Sequence, residues 1–168
     1  SKKKREKGFR SLTQGLSAVA AGDSKQASYH AQRMRQYLGD EKGLPWLLEA
    51  QAARLRGDEP AADGYFEKLL KEKDTAFLGV RGLLRSAITP GDQTRALMMA
   101  RQAQNMHPGQ AWILETVFNL EIESRLWADA LNTLKRGERA KLWDEEKRRS
   151  YRTAILLQQA EEKSRAGF

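Results

Sequence analysis

The chain has no cysteine among its 168 residues, which excludes disulfides, thiolate metal sites, a cysteine nucleophile and cysteine-ligated heme. It leaves the redox compartment undetermined. β-Branched aliphatics are scarce, with 3 Val and 4 Ile against 22 Ala and 21 Leu. A sheet draws on the residues that are missing, so this imbalance predicts an all-α fold. Long apolar runs are missing too. The uncharged stretch Ser11 to Gly22 falls well short of the about 20 apolar residues that span a membrane, and no secretory apolar core precedes it. Only 2 His are present, and no Ser/His/Asp or paired-carboxylate arrangement stands out, so the chain is not expected to be an enzyme.

Positive charge is abundant but unevenly placed. Lys2, Lys3, Lys4, Arg5, Lys7 and Arg10 against Glu6 give the start of the chain +5 of the net +8, whereas the remaining 158 residues hold 24 basic and 21 acidic side chains. A uniformly basic body would point to nucleic acid. An excess gathered at one end points instead to an anionic membrane surface or a disordered tether.

The body is a repeat. Gly22-Asp23, Gly57-Asp58 and Gly91-Asp92 are separated by 35 and 34 residues, and an alanine (Ala27, Ala62, Ala96) follows five residues after each Gly. A fourth copy puts Arg125 at the glycine position and Ala130 at the alanine. Periods of this size mark stacked helical hairpins, each reading as helix, tight turn, helix, linker. Gly at the turn accepts the left-handed conformation, Asp caps the next helix, and the alanine lets the two helices of a pair approach closely. The first hairpin is expected from near Phe9 to Leu38-Gly39, and the second opens at Pro45, which suits a first helical turn. The third runs from Ala76 to about Ile88 and from Thr94 to Met106. The fourth begins near Ala111 and turns between Ser124 and Trp127. A final helix from Asp144 to about Ser164, with Tyr151, Ala154, Ile155 and Leu157 as its apolar side, would cover the end of the array. The domain reading is a basic arm (1–8), four repeats (9–142) and a capping helix with its tail (143–168).

The turn, the alanine and the spacing resemble the tetratricopeptide repeat. Particular strings resemble the N-terminal domain of bacterial HemY-type proteins: Leu12-Thr13-Gln14-Gly15-Leu16 with Ala20-Ala21-Gly22-Asp23, Phe77 to Leu84, and Trp112 to Leu120. The resemblance runs over roughly residues 2 to 135. It implies a soluble part that follows two inner-membrane spans, with Lys2 to Arg10 as the juxtamembrane stretch, the domain on the cytoplasmic side, and an association with late heme (porphyrin) biosynthesis. Protein partners, among them heme-biosynthesis enzymes, are what it leads us to expect. The glycines form no dinucleotide fingerprint after a strand, so no flavin-binding fold is expected.

In tetratricopeptide arrays the first helix of each pair lines the concave face. That frame selects Leu44, Leu47, Gln51, Arg54, Leu78, Arg81, Arg85, Trp112 and Asn119 as partner-binding candidates, with Arg54, Arg81 and Arg85 gathered at solvent-facing positions. A mixture of apolar side chains and arginine suits a partner segment that is partly apolar and carries carboxylates. The Lys and Asn pattern of the chaperone-tail clamp is absent. Gly79 and Gly82 within a helix are read as tight packing, the four tryptophans as packing between repeats, and Met98 and Met99 as flexible core filling. His30 and His107, considered as heme ligands, are far apart in sequence and are read as surface or capping residues, so no cofactor or metal is expected. A helical-repeat nucleic-acid module and a heme- or porphyrin-handling domain remain the alternative functions.

Overall fold

A computed structural model describes residues 1–39 and 43–167. The described residues form nine helices and no strand: α1 (Lys2–Ala21), α2 (Ser24–Leu38), α3 (Leu44–Leu55), α4 (Glu59–Leu69), α5 (Ala76–Ile88), α6 (Gln93–Met106), α7 (Ala111–Glu123), α8 (Trp127–Arg139) and α9 (Glu145–Arg165). They divide into two compact units, Ser1–Ser86 and Ala87–Phe168.

The repeat is written into the turns. Gly22, Gly57 and Gly91 have φ of 76°, 79° and 78°, and Arg125 at the fourth turn has φ 56°. At all four the residue after the left-handed position donates its backbone N–H five residues back: Asp23 to Ala18, Asp58 to Ala53, Asp92 to Ala87 and Leu126 to Glu121, at 2.9 to 3.0 Å. This bond satisfies a carbonyl left over at the helix end. Asp23, Asp58 and Asp92 then cap the next helix by accepting from the backbone N–H of Gln26, Ala61 and Arg95, at 3.1 to 3.2 Å. The fourth turn has Leu126 there and no side-chain cap. It still closes, because the bond across the turn is backbone to backbone. The alanine after each turn, Ala27, Ala62, Ala96 or Ala130, is at most 1% exposed.

In the first unit, α1 buries a stripe of small residues, Gly8, Ser11, Gly15 and Ala18. Leu38 at the end of α2 lies over Gly8, where a Cβ would come within 2.5 Å of its Cγ, and Leu48 of α3 lies over Gly15. Met34, Ala31, Leu38 and Leu48 form the core there, with Leu12, Val19 and Leu44 against it. The same device joins α4 to α5. A Cβ on Gly79 would sit 2.6 Å from the Phe66 carbonyl oxygen, and one on Gly82 would enter the Phe66 ring. Packing is therefore the reason for both glycines.

α1 starts at Lys2, capped by Ser1 through a 3.3 Å bond from the Lys4 N–H. The expected arm (1–8) is thus helical, and the first helix does not wait for Phe9. The contact of Gly8 with Leu38 fixes a glycine that local propensity alone would leave outside the helix.

In the second unit, Phe118, Ala130, Leu134, Trp143 and Ile155 form the core, with Trp127, Leu142 and Tyr151 packed against it. Trp143 sits 4.9 Å from Phe118 and 5.7 Å from Tyr151 between ring centroids and lies over Gly137. Asp144 caps α9 by accepting from the Lys147 N–H at 2.7 Å. The apolar side expected for α9 is narrower than proposed: Ile155 is buried and Tyr151 half-buried, while Ala154 is exposed and Leu157 is 62% exposed.

Gly64, in the middle of α4, has open space around its missing Cβ. Gly64→Ala should stabilise the fold by about 0.5–1 kcal/mol, the ordinary helical gain. Gly82→Ala should destabilise it by about 1–3 kcal/mol, because the new methyl displaces the Phe66 ring. Denaturant midpoints measure both, and a gain for Gly82→Ala would refute the packing argument.

Candidate functional site

The candidates in the first unit lie on α3 and α5. On α5, Val80, Gly82, Leu83 and Ser86 turn inward, which leaves Arg81 and Arg85, one turn apart, exposed. Leu78 is half-buried beside them. On α3, Leu47 and Gln51 are half-buried, and the Gln51 Oε1 is buried without a hydrogen-bond partner. Leu44 is spent on packing against the core of Met34, Leu38 and Leu48.

Arg54 departs from its expected solvent-facing role. Its Nη2 donates to the Gly82 carbonyl and to Ser86 Oγ, both at 2.8 Å, and the guanidinium covers the Phe66 ring at 4.8 Å. Burial, and after it the charge of Arg85, push its pKa below the ordinary arginine value, though an arginine stays charged at any physiological pH. A helix position counted from the turn cannot distinguish a side chain that reaches solvent from one that bends to a neighbouring helix. The Gly82 carbonyl is open to Arg54 because no side chain stands at that position.

In the second unit, Trp112, Glu115 and Asn119 are exposed on α7, opposite the buried Ile113, Leu114, Val117 and Phe118. The repeat frame therefore selects the outward side of this helix correctly. Trp112 is 44% exposed, unlike Trp143, which is core, and Trp46, which stacks on Tyr65 at 5.9 Å. A recess of about 510 Å³ next to Asn119 is walled by Phe118, Ile122, Trp127 and Tyr151. The Trp127 indole N–H is buried and makes no hydrogen bond of ordinary geometry. It nonetheless lies close enough to Glu162 to be the first cause, ahead of Arg125, of a lowered pKa for that carboxyl. Tyr151, Ala154 and Ile155 of α9, expected as the apolar side of a capping helix, line this recess with Gln158.

Lys2, Lys3, Lys4, Arg5, Lys7 and Arg10 are all exposed on α1. Lys4 lies on the same stripe as Gly8 and Ser11 yet is open to solvent, so the first turn of α1 presents charge on every side. His30 lies in α2, edge-on to Tyr29 at 5.1 Å between centroids, with its Nδ1 buried and unpartnered. His107 is the C-cap of α6, a capping position as the sequence indicated. Among the described residues no group of three His, Asp or Glu gathers as a metal site, and no helix is long and apolar enough to cross a membrane.

No sequence pattern singles out Glu49, a carboxyl only 5% exposed within α3. Burial raises its pKa above the usual 4.5, against the opposing pull of Arg35, Arg56 and Lys68. Two of these cations also cover an aromatic ring: Lys68 Nζ lies 4.0 Å and the Arg35 guanidinium 5.2 Å from the centroid of Trp46.

Residues 1–57 match the family described as HemY protein N-terminus. The match covers α1, α2, α3 and the Gly57 turn, and over those residues it bears out the resemblance drawn from the sequence. The strings from Phe77 to Leu84 and from Trp112 to Leu120 lie beyond it. No curated protein matches the chain.

Because the folded pKa of Glu49 is raised, its contribution to stability is fully present below pH 4.5 and is lost as pH rises through the raised value. Glu49→Gln should therefore gain in melting temperature over the native chain on going from about pH 4 to about pH 7. A gap that stays constant, or narrows, between the two pH values would contradict this account.

Proposed function

We propose that the chain is the N-terminal repeat domain of a HemY-type protein and serves as a protein–protein interaction scaffold, not as a catalyst. In this reading the helices form a tetratricopeptide-like solenoid, held at the cytoplasmic side of a bacterial inner membrane and associated with late heme biosynthesis. Two findings support it: the family match over residues 1–57, and four turns closed by the same backbone bond at a 34- to 35-residue interval. The observation that carries the binding role is the outward pair Arg81 and Arg85 on α5, beside the half-buried Leu78. Guanidinium groups at this spacing can grip carboxylates with two bonds each, and apolar neighbours exclude water from the contact.

The partner expected from this chemistry is a protein segment with acidic and apolar residues. Reversing Arg81 and Arg85 to Glu should abolish recovery of crosslinked partners from membranes of the native host, with helicity unchanged. Arg54 is left intact in that variant, since its bonds to Gly82 and Ser86 hold α3 against α5. Undiminished recovery would remove the α5 face from the binding surface.

The basic end of α1 would meet the anionic surface of the membrane, each cation adding about 1 kcal/mol close to it. Replacing Lys2, Lys3 and Lys4 with Gln should strongly reduce co-sedimentation with vesicles containing phosphatidylglycerol at low salt. Equal sedimentation of the two proteins would remove the membrane contact from this reading.

A further inference from the structure

A groove of about 580 Å³ in the second unit is formed by α6, α8 and the Pro108-Gly109 turn, with Leu114 in its floor. It meets a smaller recess of about 260 Å³ that shares Gln104, Asn105 and Arg136 with it. None of the partner-binding candidates on α5 and α7 lines either recess.

The charge in the groove is uncompensated. Arg136 and Arg139 stand exposed in the last turn of α8 and line the groove, and among the described residues no carboxylate pairs with either. The carboxylates near them are already engaged. Glu138 pairs with Arg148 at 3.5 Å. Arg101 holds Glu121 at 3.1 Å and Asp129 at 3.3 Å, and Thr133 also donates to Glu121. The negative end of the α8 dipole offsets part of the charge on the two arginines, but it supplies no atom for them to grip.

Gln104 adds an independent observation. It is only 7% exposed and lines both recesses. A carboxamide at the wall of a recess can offer its NH2 to an acceptor and its carbonyl to a donor. Phosphate oxygens only accept. A peptide group offers both, and aliphatic side chains could lie on Leu114, Pro108 and Ala140.

We infer that this groove binds an acidic peptide segment of a partner protein, with its carboxylates on Arg136 and Arg139 and a backbone peptide group on Gln104. The site stands independently of the α5 face.

The test uses the whole chain and a fluorescein-labelled peptide of about six residues, alternating Glu and Leu, followed by fluorescence anisotropy. The same peptide with Gln for Glu and a short oligothymidylate serve as competing probes. The native protein should bind the acidic peptide in preference to both. Arg136→Glu with Arg139→Glu should weaken binding roughly tenfold or more, and Gln104→Leu should weaken it without any change of charge. Arg81→Glu with Arg85→Glu should leave the affinity within about twofold, and circular dichroism checks that all variants are folded. Equal losses from the two arginine pairs would show a diffuse charge effect and overturn the inference. So would loss from the Arg81 and Arg85 pair alone, a result that would leave the α5 reading standing. Absence of binding, equal binding of the Gln peptide, or tighter binding of the oligonucleotide would also overturn it.

Discussion

The first unit depends on the Phe66 ring pressed against a glycine. Gly82 gives up about 1 kcal/mol of helix propensity, and burial of a phenylalanine returns about 1.5–3 kcal/mol. The bare backbone at that position has a second use. It leaves the Gly82 carbonyl accessible, and Arg54 reaches it while covering the Phe66 ring. One missing methyl group thus sets how closely α4 meets α5 and where Arg54 can point. The same rule recurs where Leu38 meets Gly8, Leu48 meets Gly15 and Trp143 meets Gly137: a large side chain fills the space left by an absent one.

Much of this fold was legible in the sequence because the signals were local. A glycine that accepts positive φ, an aspartate that caps the next helix and an alanine that permits close approach each act within a few residues of the turn. Their recurrence placed α5 and α6 to within about one residue of their ends. Arg125 shows why the fourth turn was also legible. Its left-handed conformation is unfavourable for a residue with a Cβ, yet the turn closes there with the same backbone bond.

What was not legible depended on contacts between helices. The start of α1 could not be placed because Gly8 reads as a break until Leu38 is seen above it. Arg54 could not be told from Arg81 and Arg85, since all three occupy outward positions by counting, and only the gap over Gly82 separates them. Glu49 looked like an ordinary helical glutamate, and its burial arises from the packing of α2 and α4 around α3. The groove beside Gln104 joins residues of α6 and α8 across the α6–α7 turn, a juxtaposition that no single-helix pattern contains.

The helical state of the basic segment changes what it can do. Charges on a flexible tether attract a surface but do not orient what hangs from them. In α1 they are fixed to a rod of 20 residues, about 30 Å long at 1.5 Å per residue, which is keyed to the first unit at Gly8 and Gly15. The rod's conformational entropy is already spent in folding, so contact with an anionic surface would not have to order it. It would act as a lever with its charged end outermost, and tilting that end toward a surface would rotate the whole first unit with it.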